Sequence, residues 1–383
     1  MKTNARWLVA LAMISGVCLN TPGNSQAASS KEVEAEAKSM AKRMEDERRA
    51  EATARAKNPA WQPSAREAGL IQIGDGNQPG ALRNFCLNAE GNILACYAPP
   101  QTSSGAKNAP GIRIYSPEGA LLKSLPLEIK PTAIAVAKDR SIFVAGDGRL
   151  LKLDAAGKVL ASTESPTTKE PVVITKEVEE MVKEMVKDSK RSFKQELENM
   201  KTNLERRRSE VTGLAVTEQD VFMAVGSPTD FTYRVYRFDH ALANPKLAVE
   251  KLRGCCGQMD IQAHEAKLWI PHNARHTVEC RDREGKELSK FGTKGKVKPA
   301  DFGGCCEPKN MRVLANGDIL AAESGPPTSI KRFSATGKLL EVVAVLDTKG
   351  DCVRVTVEMS PDGSRYYLMD TTRDAIRVFK AKG

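Results

Sequence analysis

The strongest constraint on this chain is a short unit that recurs along it: a strand-like run followed by a four-residue turn closed by glycine. The run 112–115 leads into Ser116-Pro117-Glu118-Gly119 and the run 150–153 into Asp154-Ala155-Ala156-Gly157. Further on, 277–280 precedes Asp282-Arg283-Glu284-Gly285, and 330–333 precedes Ser334-Ala335-Thr336-Gly337. Apolar residues near a period of two, bounded by Ser, Asp and Gly, are the pattern of half-buried strands joined by hairpins. Residues 233–238 and 376–379 are two more strands of this kind, giving six. Each is preceded by its own inner hairpin, at 85–96, 133–144, 212–225, 259–270, 311–322 and 355–369.

Four strands repeated roughly every 40 to 50 residues predict a closed array, because one such unit cannot bury both of its faces alone. The last unit stops at Gly383 with three strands. Leu70-Ile71-Gln72-Ile73-Gly74 resembles Leu288-Ser289-Lys290-Phe291-Gly292, the outer strand of the fourth unit. It is therefore expected to complete the sixth unit from the N-terminal side and leave no open edge.

Phe302-Gly303-Gly304, Pro308-Lys309-Asn310-Met311, Ala315-Asn316-Gly317-Asp318-Ile319-Leu320 and Ile330-Lys331-Arg332-Phe333 together resemble the NHL-repeat pattern. The resemblance runs from Leu70 to Gly383 apart from one insertion, and its paired cysteines are similar to those of a subgroup of exported bacterial NHL proteins. It implies an all-β, six-bladed NHL-like β-propeller serving as a ligand platform, a scaffold or, occasionally, an enzyme; the fold does not choose among these.

Outside the repeats, Lys2 and Arg6, an apolar stretch at 7–19 and Ser25-Gln26-Ala27-Ala28 predict an export signal over residues 1–28 and a periplasmic or extracellular protein. The stretch is too short for a permanent span. Loss of this segment lowers the formal charge of +10 by two, to +8, spread without a long basic run. With three tryptophans and six tyrosines not interleaved with basic residues, nucleic acid is not expected as a partner. Residues 29–60 read as a charged, exposed N-terminal helix. Blades 1 and 2, with the closing strand, are assigned to 65–164, a helical insertion to 165–210 and blades 3–6 to 211–383. The insertion carries Glu177, Glu179 and Glu180 at its front and Arg206, Arg207 and Arg208 at its back. That polarity predicts a single helix of about 34 residues, roughly 50 Å long, which either lies on its own propeller or offers residues 175–209 to a helix partner or a coiled coil.

The chemistry of the chain is concentrated in two cysteine doublets 50 residues apart, Cys255-Cys256 and Cys305-Cys306. Aligning Gly317 with Gly363 places Cys352 at the position of Cys306. Five thiols thus stand at the entrances of three consecutive inner strands. Strand antiparallelism brings His272, Asn273, Arg275, His276, Glu323, Asp370 and Arg373 to the same face, the candidate binding face for a protein or a small ligand. Export makes cross-blade disulfides the default for the cysteines; a soft-metal site and a redox-active pair are the alternatives. The cofactor therefore stays open between such a metal and none. Cys86 and Cys96 flank one hairpin and are expected either to pair across it or to stay as two buried free thiols; Cys280 has no evident mate. No phosphate loop or nucleophile elbow appears, so no catalytic residue is assigned. A lactonase-type metal site built from Glu323, Asp370, Asn273 and Asn310 is the less favoured enzymatic reading.

Overall fold

A computed structural model of the chain describes residues 30–73, 81–99, 109–187, 191–254, 257–325, 327–346 and 353–382. The stretch expected to be an export signal, 1–28, and Cys255, Cys256 and Cys352 lie outside the described residues. The four glycine-closed turns share one construction. Gly157 N–H donates to the Asp154 carbonyl, and Asp154 N–H to the Lys158 carbonyl, both at 3.0 Å. The Asp154 carboxylate accepts from the Lys158 N–H at 2.9 Å. Ser116, Asp282 and Ser334 make the same three contacts in their own turns. The closing glycines have φ between 84° and 94°, a region costly for any residue with a Cβ. A Cβ on Gly157 would meet Leu125, and one on Gly337 would meet Phe291. Each of those partners belongs to the outer strand of the preceding sheet, so the glycine both forms its hairpin and seats it on a neighbour.

Six four-stranded antiparallel sheets result. Blade 1 is β2 (Leu82–Leu87), β3 (Ile93–Tyr97), β4 (Gly111–Tyr115) and β5 (Leu121–Pro126). Blade 2 is β6 (Ala133–Val136), β7 (Ile142–Gly146), β8 (Arg149–Leu153) and β9 (Val159–Glu164). Blade 3 is β10 (Val211–Val216), β11 (Asp220–Gly226), β12 (Thr232–Asp239) and β13 (Lys246–Arg253). Blade 4 is β14 (Gln262–His264), β15 (Lys267–His272), β16 (Thr277–Arg281) and β17 (Glu287–Phe291). Blade 5 is β18 (Asn310–Val313), β19 (Ile319–Glu323), β20 (Thr328–Phe333) and β21 (Leu339–Leu346). Blade 6 combines β22 (Val357–Met359), β23 (Arg365–Asp370) and β24 (Ala375–Ala381) with β1 (Ala65–Gln72) on its outside. The chain is a six-bladed β-propeller with an N-terminal helix, as its repeats predict.

Second strands are the most deeply covered, since each lies between two neighbouring sheets: every residue of β3, β7, β11 and β19 is buried. Outer strands such as β5 and β17 are almost wholly exposed. The core therefore lies between blades. Phe143, Met223, Tyr236 and Phe238 fill one such layer and Phe291, Phe302 and Phe333 another, with ring centroids 5.5 to 6.4 Å apart. Each buried large side chain of this kind contributes about 1.5–3 kcal/mol.

The sixth blade closes with β1 antiparallel to β24, from Ala65 opposite Ala381 to Gln72 opposite Ala375, with one bulge between Glu67 and Gly69. The Asp374 carboxylate then accepts from the Ala81 and Leu82 N–H groups, both at 3.1 Å, and so ties blade 6 to the start of blade 1.

N-terminal to the ring, α1 (Ser30–Ala56) leads to a 3-10 turn at Pro59–Trp61, where Asn58 accepts from the Ala60 N–H at 3.0 Å. Trp61 is buried and its Nε1 donates to the Val297 carbonyl at 2.8 Å. The helix is not wholly solvated: Glu51 pairs with Lys296 at 3.2 Å.

The insertion between blades 2 and 3 is helical but is not one long helix. After α2 (Pro166–Lys169) it forms α3 (Lys176–Val186) and α4 (Phe193–Arg207), which pack against each other. At 11 and 15 residues these are roughly 16 and 22 Å long, so no 50 Å arm exists. The apolar stripe is turned inward instead of toward a partner, as one of the two expectations had it, with Val178, Val182 and Leu204 buried. Ser192 marks the second start, its side chain accepting from the Gln195 N–H.

Candidate functional site

The loops entering the inner strands and leaving the second strands share one face, the one that carries Cys305 and Cys306. At its centre a ring of hydrogen bonds links every pair of adjacent blades. Asn84 donates to the Thr132 carbonyl at 3.3 Å, Thr132 to the Val211 carbonyl at 2.6 Å, and Thr212 to the Met259 carbonyl at 2.8 Å. Asn310 donates to Asp260 at 2.7 Å and accepts from the Val357 N–H at 2.9 Å, and Thr356 donates to Asn84 at 2.8 Å, completing the circuit. Other contacts cross the axis between blades that are not neighbours. Gln258 binds the Val355 carbonyl at 2.7 Å and its N–H at 3.3 Å. Arg354 donates to the Gly257 carbonyl at 2.7 Å and to Glu210 at 3.1 Å. These contacts bridge the channel mouth at this end.

Just below, Arg312 is buried between Asp260, at 3.1 Å, and Glu358. Burial raises the pKa of both carboxylates, against the pull of the guanidinium. The four residues on which a lactonase-type metal site would draw are spent elsewhere. Asn310 serves the ring, and Asn273 donates to the Gln258 carbonyl at 2.8 Å. Asp370 accepts from Thr372 and Arg377. Glu323 accepts from the Gly303 N–H at 2.6 Å and Ser329 at 2.8 Å and pairs with Lys331. The residues present do not fit that metal site. Among the described residues, no group of three or more His, Cys, Asp or Glu side chains is arranged to hold an ion.

The other sequence-predicted site residues divide by exposure. His272 is buried, its Nε2 accepting from the Arg253 N–H at 3.1 Å, which places the proton on Nδ1 toward Glu279 at 2.7 Å. Burial works against ionisation of Glu279, but hydrogen bonds from His272 and Arg281 outweigh it and hold the carboxyl down at about 2. His272 and Asn273 are therefore framework residues. His276 is 6% exposed, and its Nδ1 is buried without a hydrogen-bond partner. Burial lowers its pKa, with Lys294 adding to the effect and Cys305 and Glu323 opposing it. Arg275 and Arg373 project, each with a side chain 57% exposed. The fold thus brings His276, Glu323 and Cys305 together, while Asp370 and Arg373 lie apart on blade 6.

Cys305 is exposed and Cys306 buried, with their sulfurs 3.1 Å apart. Lys309, itself fully buried, donates from Nζ to Cys306 Sγ at 2.9 Å. Glu307 Oε1 accepts from Ser324 Oγ and the Gly325 N–H at 2.9 Å and from the Ser324 N–H at 3.0 Å. Its Oε2 is buried without a partner. Burial, reinforced by nearby Glu323 and only partly offset by Lys309, pushes this carboxyl up to about 8. A cavity of about 20 Å³ adjoins it, lined by Trp61, Arg55, Lys331 and Gly303 among others, enough for one water. Glu307, Lys309 and Arg312 escaped the sequence reading. One signal was visible: the second doublet is followed by Glu307 where the first is followed by Gly257.

Cys86, Cys96 and Cys280 are buried free thiols, and burial raises the pKa of each. Cys86 and Cys96 do not bridge their hairpin. On the opposite face, the turns at 136–139, 216–220 and 263–266 surround a recess of about 640 Å³ that also takes in His240 and Arg283.

Neither a protein-family model nor a curated protein sequence matches the chain. Solved structures do. A structural genomics protein of unknown function from Bacteroides thetaiotaomicron is 10% identical with a TM-score of 0.51, over 82% of this chain and 73% of that one. The Pan2 WD40 domain of Neurospora crassa is 8% identical with a TM-score of 0.50, over 84% of this chain and 97% of that one. A gluconolactonase from Xanthomonas campestris is 12% identical with a TM-score of 0.49, over 85% and 97%. At such identities a likeness in shape carries the architecture alone, and what it assigns to this chain is the six-bladed β-propeller.

Proposed function

We propose that this is an exported, NHL-like propeller that acts as a binding scaffold and meets a macromolecular partner on its cysteine-bearing face. One observation carries the reading: the channel mouth at that face is bridged by the Gln258 and Arg354 contacts. Small ligands need concave sites, whereas a face whose channel mouth is bridged and which bears Arg275, Arg373 and Cys305 is suited to a broad contact. The half-exposed guanidiniums favour an acidic protein surface, since planar, persistently charged groups pair well with carboxylates.

A photo-crosslinking residue at Arg275 or Arg373, compared with one at Gln219 on the rim of the opposite recess, tests this in the native host. Crosslinks to one protein from the first two positions, lost on Arg275→Glu with Arg373→Glu, are expected. Crosslinking confined to Gln219, or unaffected by the charge reversals, would move binding to the other face and refute the assignment.

A further inference from the structure

The doublet at 305–306 is left unexplained by binding. Its two sulfurs differ in exposure and in the cation beside them. Cys305 is exposed; Cys306 is buried, 3.1 Å away, and receives a hydrogen bond from the Lys309 ammonium at 2.9 Å. A neighbouring cation favours the thiolate over the thiol. In disulfide exchange the attacked sulfur must be reachable, and the sulfur whose thiol has the lower pKa leaves faster. Cys305 meets the first requirement, and at Cys306 the Lys309 ammonium stands ready to stabilise the departing thiolate. Lys309 has no solvent exposure of its own, so its charge is directed at this corner of the fold instead of at bulk water.

We infer that Cys305 and Cys306 form a reversible vicinal disulfide that oxidises dithiols of proteins or peptides. A substrate thiolate attacks Cys305 Sγ; the Cys305–Cys306 bond breaks, and its electron pair departs on Cys306, where Lys309 stabilises the thiolate. The substrate's second thiolate then attacks its own sulfur in the mixed disulfide and expels Cys305 as the leaving thiolate. The substrate dithiol loses two electrons and becomes a disulfide, the protein disulfide gains them, and the two substrate thiol protons pass to Cys305 and solvent. A small disulfide of the surroundings reverses these steps and reloads the pair. Covalent geometry supports the direction. Sequence neighbours hold their Cα atoms about 3.8 Å apart, closer than the roughly 4.4–6.8 Å of ordinary disulfides, and strained or exposed disulfides are the oxidising, labile ones. This activity needs no partner at Arg275 or Arg373, so it stands or falls separately from the binding face.

The test equilibrates the full chain in glutathione buffers of graded oxidised-to-reduced ratio, quenches with acid, alkylates and maps the cysteines by mass spectrometry. A link internal to the Cys305–Cys306 peptide is expected in oxidising buffers, absent in Cys305→Ser and in Cys306→Ser. Lys309→Gln removes the charge that favours the reduced thiolate, so its disulfide should form with an equilibrium constant about tenfold larger. Its oxidised form should also oxidise dithiothreitol about tenfold more slowly. Lys309→Arg should retain wild-type behaviour. Cys305 or Cys306 bridged to any other cysteine, no link at any ratio, or a Lys309→Gln variant matching wild type would overturn the inference. Should Lys309→Gln fail to fold, the map of the wild-type chain still decides.

Discussion

A carboxyl with three hydrogen bonds on one oxygen and none on the other is poised on the edge of ionisation, and Glu307 is in that state. Its pKa, about 8 in the fold against an ordinary 4.5, means that the native state holds this proton more tightly than the unfolded chain. The associated stability is complete below pH 4.5 and drains away as pH rises through 8. Glu307→Gln should therefore melt with wild type at pH 5 and be more stable by a few kcal/mol at pH 9, as thermal unfolding at the two pH values would show. Arg312 has the opposite character. Arg312→Met strands Asp260 and Glu358 as unpaired buried acids and should cost about 3–5 kcal/mol. Adding Asp260→Asn and Glu358→Gln should recover much of that loss in denaturant titrations. The cysteine doublets were legible because two rare pairs recur at one spacing. Glu307, Lys309 and Arg312 were not, because a charged residue near a turn reads as solvated until neighbouring blades cover it.

At the scale of elements, the insertion shows where a periodicity argument falls short. An unbroken apolar stripe predicts one helix, yet Ser192-Phe193-Lys194-Gln195 carries capping-box spacing in the middle of it, and that signal prevails. Two helices that cover each other make a unit the ring does not need. Its anchor is the stretch just ahead, where Thr167 donates to the Arg208 carbonyl at 2.6 Å and Glu170 pairs with Arg234 and Tyr236. Replacing residues 172–205 by a short Gly/Ser linker should thus leave cooperative unfolding intact, with a fall in Tm of only a few degrees. Extending the deletion to Thr167 and Glu170 should cost clearly more in the same melting experiment.

For the whole molecule the six-fold plan was readable because it is written six times, and errors in one blade are corrected by the others. The closing strand was readable for a related reason: three strands at the C-terminal end require a fourth, and only residues near Leu70 match the pattern. Deleting 65–72 should lower Tm far more than deleting 30–56, since the first opens a sheet edge along β24 and the second removes a helix held mainly near its end. The register of that closure has a mechanical consequence. Ala65 lies opposite Ala381, so the chain enters and leaves the ring at the same corner. Tension applied between these two points loads the pairs one after another, beginning with Ala65 and Ala381, and never loads all of them in parallel. A clasp of this kind holds against heat yet peels under a modest pull, and the propeller should open in single-molecule stretching by unzipping from this seam.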